Sequence, residues 1–182
     1  MRIVAGAWRG RRLLAPPGLA TRPTADRVRQ AMFDLLVHAP WGGPHAIDGV
    51  HALDAFAGSG ALGLEALSRG AAAATFIEQD QAAIRALRAN IVACSADQRC
   101  TVIAADALTA AAGRPCGLVF LDPPYGCDLV TKAIGALARC GWIRPGALIV
   151  AETGRDEAVP VGAMMLAERV HGAARISIWR AA

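Results

Sequence analysis

Residues 53–63 read Leu-Asp-Ala-Phe-Ala-Gly-Ser-Gly-Ala-Leu-Gly. A short apolar run passes through an acid, Asp54, to glycines at Gly58, Gly60 and Gly63, and a helix-forming run follows. Glycine lacks a Cβ, so a chain leaving a strand can turn sharply there and a ligand can lie against bare backbone. The N–H groups that open the next helix then face that ligand. Residues 58–63 also match the dinucleotide-binding fingerprint, with Glu78 about 20 residues on, where a ribose-binding acid is expected. Taken alone, this loop favours a nicotinamide cofactor or a purely structural turn.

A second stretch, Asp122-Pro123-Pro124-Tyr125, follows the unbroken apolar run 118–121. Two prolines fix φ and remove two N–H donors, leaving carbonyl oxygens and a carboxylate on a rigid segment that ends in an aromatic ring. Such a segment suits a planar base with an exocyclic amine: the acceptors take the amine hydrogens and Tyr125 stacks on the ring. A plain proline turn explains Pro123 and Pro124 but not the acid and the aromatic that flank them.

The elements that would position these motifs alternate. Strands are expected at 52–56, 75–78, 101–104, 118–121 and 147–151, and helices at 61–69, from Asp80 through Ile91, and at 129–140. A short alanine-rich helix is expected after Asp106. Repeated strand–helix units predict an α/β, Rossmann-like fold: a mostly parallel seven-stranded sheet with helices on both faces. Two final strands, 164–170 and 175–180, form a hairpin around His171 and Gly172. Asp54, Glu78, Asp106 and Asp122 then fall at or near the ends of successive strands, on the rim where such sheets bind ligands.

Ahead of this core, residues 1–15 read as two short strands around a turn at Gly10, ended by Pro16, Pro17 and Gly18. A helix capped by Thr24 follows, with Val28, Ala31, Met32, Leu35 and Leu36 at helical spacing, and it ends near Val37. Residues 1–50 are therefore an N-terminal extension and 51–182 the core of one domain. Residues 1–30 carry seven arginines against one acid, Asp26, which leaves a charge of −2 for the rest of a chain whose net charge is +4. An arginine-rich end on a mildly acidic body suggests a polyanion partner.

Composition excludes several classes. No stretch of spanning length is free of charge, since the most apolar region contains Asp106 and Arg114. The first residues show no apolar run followed by a small-residue cleavage site, so secretion is not expected, and the five cysteines (Cys94, Cys100, Cys116, Cys127, Cys140) form no C-x-x-C pair. Reduced thiols, a cytoplasmic location and no metal site are expected.

With both motifs in view, the chain resembles S-adenosylmethionine-dependent methyltransferases that modify amino groups on nucleic-acid bases. Residues 54–65 are similar to the cofactor motif of that class and residues 122–125 to its catalytic motif. More narrowly, residues 2–12 (Arg-Ile-Val-Ala-Gly-Ala-Trp-Arg-Gly-Arg-Arg) and 22–33 (Arg-Pro-Thr-Ala-Asp-Arg-Val-Arg-Gln-Ala-Met-Phe) resemble the bacterial small-subunit ribosomal RNA guanine-N2 methyltransferases. Gln30 departs mildly from that pattern, and over 152–165 only Glu152 is recognisable.

The resemblance implies roles. Asp54, Gly58 and Gly60 would hold the methionine part of S-adenosylmethionine, Glu78 its ribose hydroxyls, and Asp106 with Ala107 its adenine, with Phe56 a further cofactor-binding residue. Thr24 and Arg27 would hold the cofactor carboxylate or order the target base, and Arg9, Arg11, Arg12 and Arg22 would meet RNA phosphate. Asp122, Pro123, Pro124 and Tyr125 would be catalytic. The substrate implied is 16S ribosomal RNA or the assembling small subunit, acted on by a monomer. The rivals are a DNA adenine-N6 methyltransferase, for which a chain this short has no separate DNA-reading domain, and an NAD-dependent oxidoreductase.

Overall fold

The computed structural model describes residues 1–16, 23–124, 128–157 and 164–182. Seven strands, β1 (His51–Ala55), β2 (Ala73–Glu78), β3 (Cys100–Ala104), β4 (Cys116–Leu121), β5 (Ile143–Gly154), β6 (Met164–His171) and β7 (Ala174–Arg180), form one sheet in the order β3-β2-β1-β4-β5-β7-β6. Only β7 runs against its neighbours, so the sheet is mostly parallel with an antiparallel return at one edge. The order reverses between β1 and β4, and the crevice beyond their carboxyl ends is where an open α/β sheet binds ligands.

Strand alternation divides the core into two. Ala52, Phe76, Phe120, Val150 and Ile178 face a cluster shared with α1 (Pro23–His38), α2 (Ala61–Ser68) and α3 (Gln81–Ala93). Leu53, Ile77, Leu121, Ile149 and Trp179 face the cluster that α4 (Leu129–Arg139) covers with Val130, Ala133 and Leu137. Both faces of the central strands are thus buried, which accounts for their nearly unbroken apolar runs.

The structure departs from the expected elements in three places. Residues 1–15 form no regular strands: a single antiparallel bridge pairs Arg2 with Arg12, and a 3-10 turn at Gly6–Trp8 closes the arm. The N–H groups of Ile3, Gly10 and Leu13 still pair with carbonyls across the arm, while those of Val4, Ala5 and Trp8 turn to side chains of α2. Helix α1 begins at Pro23, so Thr24 lies inside the first turn and not at the cap; proline's fixed φ suits that first position. The alanine-rich helix after Asp106 is only a turn at 107–109. Six residues before Gly113 and Pro115 are too few to offset the cost of helix nucleation.

The arm is held by a buried carboxylate. Glu65 of α2 is 0% exposed. It accepts the N–H groups of Val4 and Ala5 at 2.7 and 2.9 Å, and it pairs with Arg69 at 2.7 Å and Arg29 of α1 at 3.6 Å. Arg29 in turn donates to the Arg2 carbonyl at 2.6 Å and pairs with Asp26. Below it, Ser68 donates to the Ala5 carbonyl and accepts from the Trp8 N–H. Removing one partner from a buried charge network leaves the others uncompensated. Glu65→Ala is therefore expected to cost about 3–5 kcal/mol in urea unfolding; a loss below about 1 kcal/mol, the range of an exposed pair, would contradict this account.

Candidate active site

The registers place the candidate acids in one row. Ala55 pairs with Ile77 on one side and with Leu121 on the other, and Leu121 pairs with Ala151. The next residues along these four strands are Phe56, Glu78, Asp122 and Glu152, side by side on the carboxyl rim. Asp54 sits just inside the row, and Asp106 lies two residues past the Glu78–Ala104 pair at its end.

The glycine loop is pinned from this rim. Glu78 accepts the Gly58 N–H at 2.7 Å through one oxygen and those of Gln79 and Asp80 at 2.8 Å through the other. Asp54 accepts the Gly63 N–H at 2.9 Å and so caps α2 from the preceding strand. That acid also favours the positive helix end. Phe56 has a left-handed φ of 78°, sustained because its N–H and that of Ala57 share the Ile77 carbonyl. The two loop glycines differ in reason. A Cβ on Gly60 (φ 80°) would lie 2.3 Å from the Leu87 side chain, whereas one on Gly58 (φ 53°) would meet nothing within 4 Å. Both positions take the left-handed φ that favours glycine; Gly60 is also crowded by Leu87, while Gly58 leaves open space beside its backbone.

Electrostatics mark the same spot. Burial pushes the Asp54 carboxyl up to about 7, opposed by the Gly63 hydrogen bond and aided by repulsion from Glu78. Asp122 is also held well above the usual carboxylate range, first by the surrounding protein and then by Glu152 and Asp54. Its side chain nevertheless keeps exposed surface, so it stays reachable from the cleft. Pro123 is buried and Pro124 exposed, and both border a depression completed by Asp128, Val130, Thr153 and Glu157. Tyr125 lies outside the described residues.

The remaining candidates fall in three places. Asp106 accepts the Leu108 N–H at 2.9 Å and caps its turn, and the Ala107 side chain is buried in the core. Arg27 is exposed on the turn of α1 that Asp26 links to Arg2 at 3.8 Å. Thr24 is placed only by its backbone in that turn, and Arg22 lies outside the described residues. Arg9, Arg11 and Arg12 are exposed along the arm, with Arg11 donating to the Ala93 carbonyl at the end of α3. No group of three or more metal-ligating side chains occurs among the described residues. None of their helices is long and apolar enough to cross a membrane.

Two residues carry more than sequence reasoning assigned them. Glu152, recognised but given no role, stands beside Asp122 in the rim row; an acid closing the fifth strand was the available signal. Asn90 joins the arm to the glycine loop, and nothing in its helical spacing marked it.

The family model described as conserved hypothetical protein 95 matches residues 1–180. The chain is 41% identical over 162 residues to ribosomal RNA small subunit methyltransferase D of Escherichia coli, covering 88% of this chain and 78% of that protein. It is 38% identical to the protein of the same name from Haemophilus influenzae, over 94% of this chain and 89% of that one. Among solved structures, a putative methyltransferase, yhhF, from Escherichia coli superposes with a TM-score of 0.83 at 40% identity, covering 100% of this chain and 97% of that one. A Thermus thermophilus 16S rRNA N2 G1207 methyltransferase in complex with AdoMet and guanosine shares the fold at a TM-score of 0.67 and 20% identity, over 91% of this chain and 45% of that one.

The raised Asp54 carboxyl makes a prediction for the ligand-free protein. An acid whose folded value lies above its unfolded one binds more protons when folded, so its stability contribution is full below about pH 4 and is lost as pH rises through about 7. Asp54→Asn removes that loss. Melting curves without ligand should show the variant matching wild type near pH 4 and exceeding it by on the order of 2–4 kcal/mol at pH 8. A constant difference across the range would remove the assignment.

Proposed function

The chain belongs to the conserved hypothetical protein 95 family, that of the ribosomal RNA small subunit methyltransferases D, and on that premise we propose that it methylates the exocyclic N2 amine of a guanine in 16S ribosomal RNA. The observation that carries this reading is the juxtaposition of the glycine loop and the Asp122-Pro123-Pro124 turn on neighbouring strands, β1 and β4, at the point where the strand order reverses. With this membership the nicotinamide reading of the loop falls away.

The residues present fit S-adenosylmethionine. Bound there, it supplies an electrophilic methyl on a positively charged sulfur. Asp54, raised by burial and by repulsion from Glu78, favours a cationic ligand, and Gly58 leaves room at the loop backbone. Asp54 would hold the methionine end through its ammonium. Each Glu78 oxygen already accepts loop N–H groups and has a further lone pair for a ribose hydroxyl. Asp106 and the Ala107 backbone would hold the adenine end.

A guanine amine is a poor nucleophile because its lone pair is delocalised into the ring. Asp122 and the Pro123 carbonyl accept its hydrogens and localise that lone pair, and the rigid turn holds it in line for transfer. The environment that raises Asp122 also makes it a better proton acceptor. Tyr125 stacks on the base. Thr24 and Arg27 of α1 complete the cofactor or base site, and Arg9, Arg11, Arg12 and Arg22 bind phosphate with the guanidinium fork. Residues 1–182 act as one domain, a monomer working in the cytoplasm on ribosomal RNA or the assembling subunit.

Asp122→Ala should leave cofactor affinity near wild type by calorimetry while turnover falls about 10²–10³-fold; normal turnover would sink the catalytic assignment. Wild-type cofactor affinity should tighten as pH rises through about 7, where Asp54 ionises, and Asp54→Asn should flatten that profile. Mass mapping of small-subunit ribosomal RNA from cells lacking the protein should show one N2-methylguanine missing; an unchanged map would refute the substrate.

A further inference from the structure

Asn90 of α3 is 1% exposed and joins two segments far apart in sequence. Its Oδ1 accepts the Leu14 N–H at 2.7 Å, and its Nδ2 donates to the carbonyls of Leu14 and Ser59, each at 2.9 Å. Only the oxygen can accept an N–H, so the pattern fixes which way the amide points. Leu14 belongs to the arm that carries Arg9, Arg11 and Arg12. Ser59 lies between Gly58 and Gly60.

The surroundings make this link specific. One turn earlier on α3, Leu87 occupies the space a Cβ on Gly60 would need, so Leu87 and Asn90 together set the loop from beneath. The Ser59 hydroxyl reaches the Met1 sulfur at 3.5 Å, and Met1 accepts the Leu13 N–H through its carbonyl. Further along the arm, Arg11 donates to the Ala93 carbonyl. The arm therefore lies along α3 from Ala93 to Asn90 and ends against the loop. The Leu14 side chain itself is 61% exposed, so what the core holds at this position is its backbone.

We infer that Asn90 is a positioning residue for cofactor binding: it holds the Ser59 carbonyl, and with it the 58–60 backbone, and ties that loop to the arm, so RNA and cofactor strengthen each other's binding. This rests on the proposed function, which gives the loop to S-adenosylmethionine and the arm to RNA. The arm already holds Leu14 against Asn90; RNA bound along the arm strengthens that hold, and Asn90 presents a loop set for the cofactor. Coupling between two binding sites is reciprocal, so each ligand changes the other's affinity by the same factor. Asn90 touches neither ligand, and its loss acts on binding and leaves the transfer step itself intact.

The test is calorimetry of S-adenosylmethionine binding to full-length wild type, Asn90→Ala and Leu14→Pro, with and without a 16S ribosomal RNA fragment. Leu14→Pro removes the N–H that Asn90 accepts while leaving Asn90 and Ser59 in place. Wild type should bind the cofactor about 5-fold or more tightly with RNA present. Asn90→Ala should weaken cofactor binding about tenfold and raise its KM, with kcat at saturation within about twofold. Leu14→Pro should keep wild-type affinity without RNA and lose the enhancement.

A folded Asn90→Ala with wild-type affinity overturns the inference, as does a Leu14→Pro protein that keeps the full enhancement. So does a wild type that binds both ligands without enhancement. Should Asn90→Ala fail to fold, Leu14→Pro decides alone. A wild type that binds neither ligand overturns the proposed function and this inference with it.

Discussion

The fully buried carboxylate of Glu65 is the interaction on which the rest of the arrangement depends. Burying a charge is unfavourable unless its oxygens are fully partnered, and here the partners come from three segments: arm N–H groups, Arg29 of α1 and Arg69 just past α2. The arm therefore cannot leave without stranding a charge in the core. A sequence that looks like a detachable basic tail is in fact part of the packing between α1 and α2. This sets its arginines in fixed relation to the helix that opens from the glycine loop.

The rim obeys the opposite logic. Asp122 and Glu152 lie side by side, Glu78 stands beyond Phe56 in the same row and Asp54 lies just behind; Asp54 and Asp122 are raised by burial and by repulsion from neighbouring acids. Such a row opposes folding at neutral pH and favours a ligand that brings positive charge. Stability is given up where binding occurs and recovered in the arm and the two clusters flanking the sheet. The split between faces supports this division: α1, α2 and α3 hold the loop and the arm on one side, and α4 holds the proline turn from the other. The crevice between β1 and β4 is where the two halves meet.

The local chemistry was legible in the residues themselves. Glycines that need bare backbone, prolines that delete donors and acids that close apolar runs each have a meaning set within a few positions. The strand–helix alternation follows from hydrophobic period in the same way. These settled an α/β sheet, both motifs and the acid at the end of each of the first four strands. What periodicity could not supply was the register that puts Phe56, Glu78, Asp122 and Glu152 in one row, because pairing depends on strands distant in sequence. The helix expected after Asp106 failed for a related reason: alanine favours a helix, but six residues cannot offset nucleation without tertiary support.

Glu65 and Asn90 show the limit most plainly. In the sequence each is one polar residue on an amphipathic helix, indistinguishable from a solvated position. Their hydrogen bonds span between 31 and 76 residues of chain to the arm and the loop. Sequence alone determined which chemistry the chain carries, since that resides in residue type and near spacing. Tertiary structure alone decided which polar groups are buried and whom they join, since burial belongs to the packed whole and to no single segment.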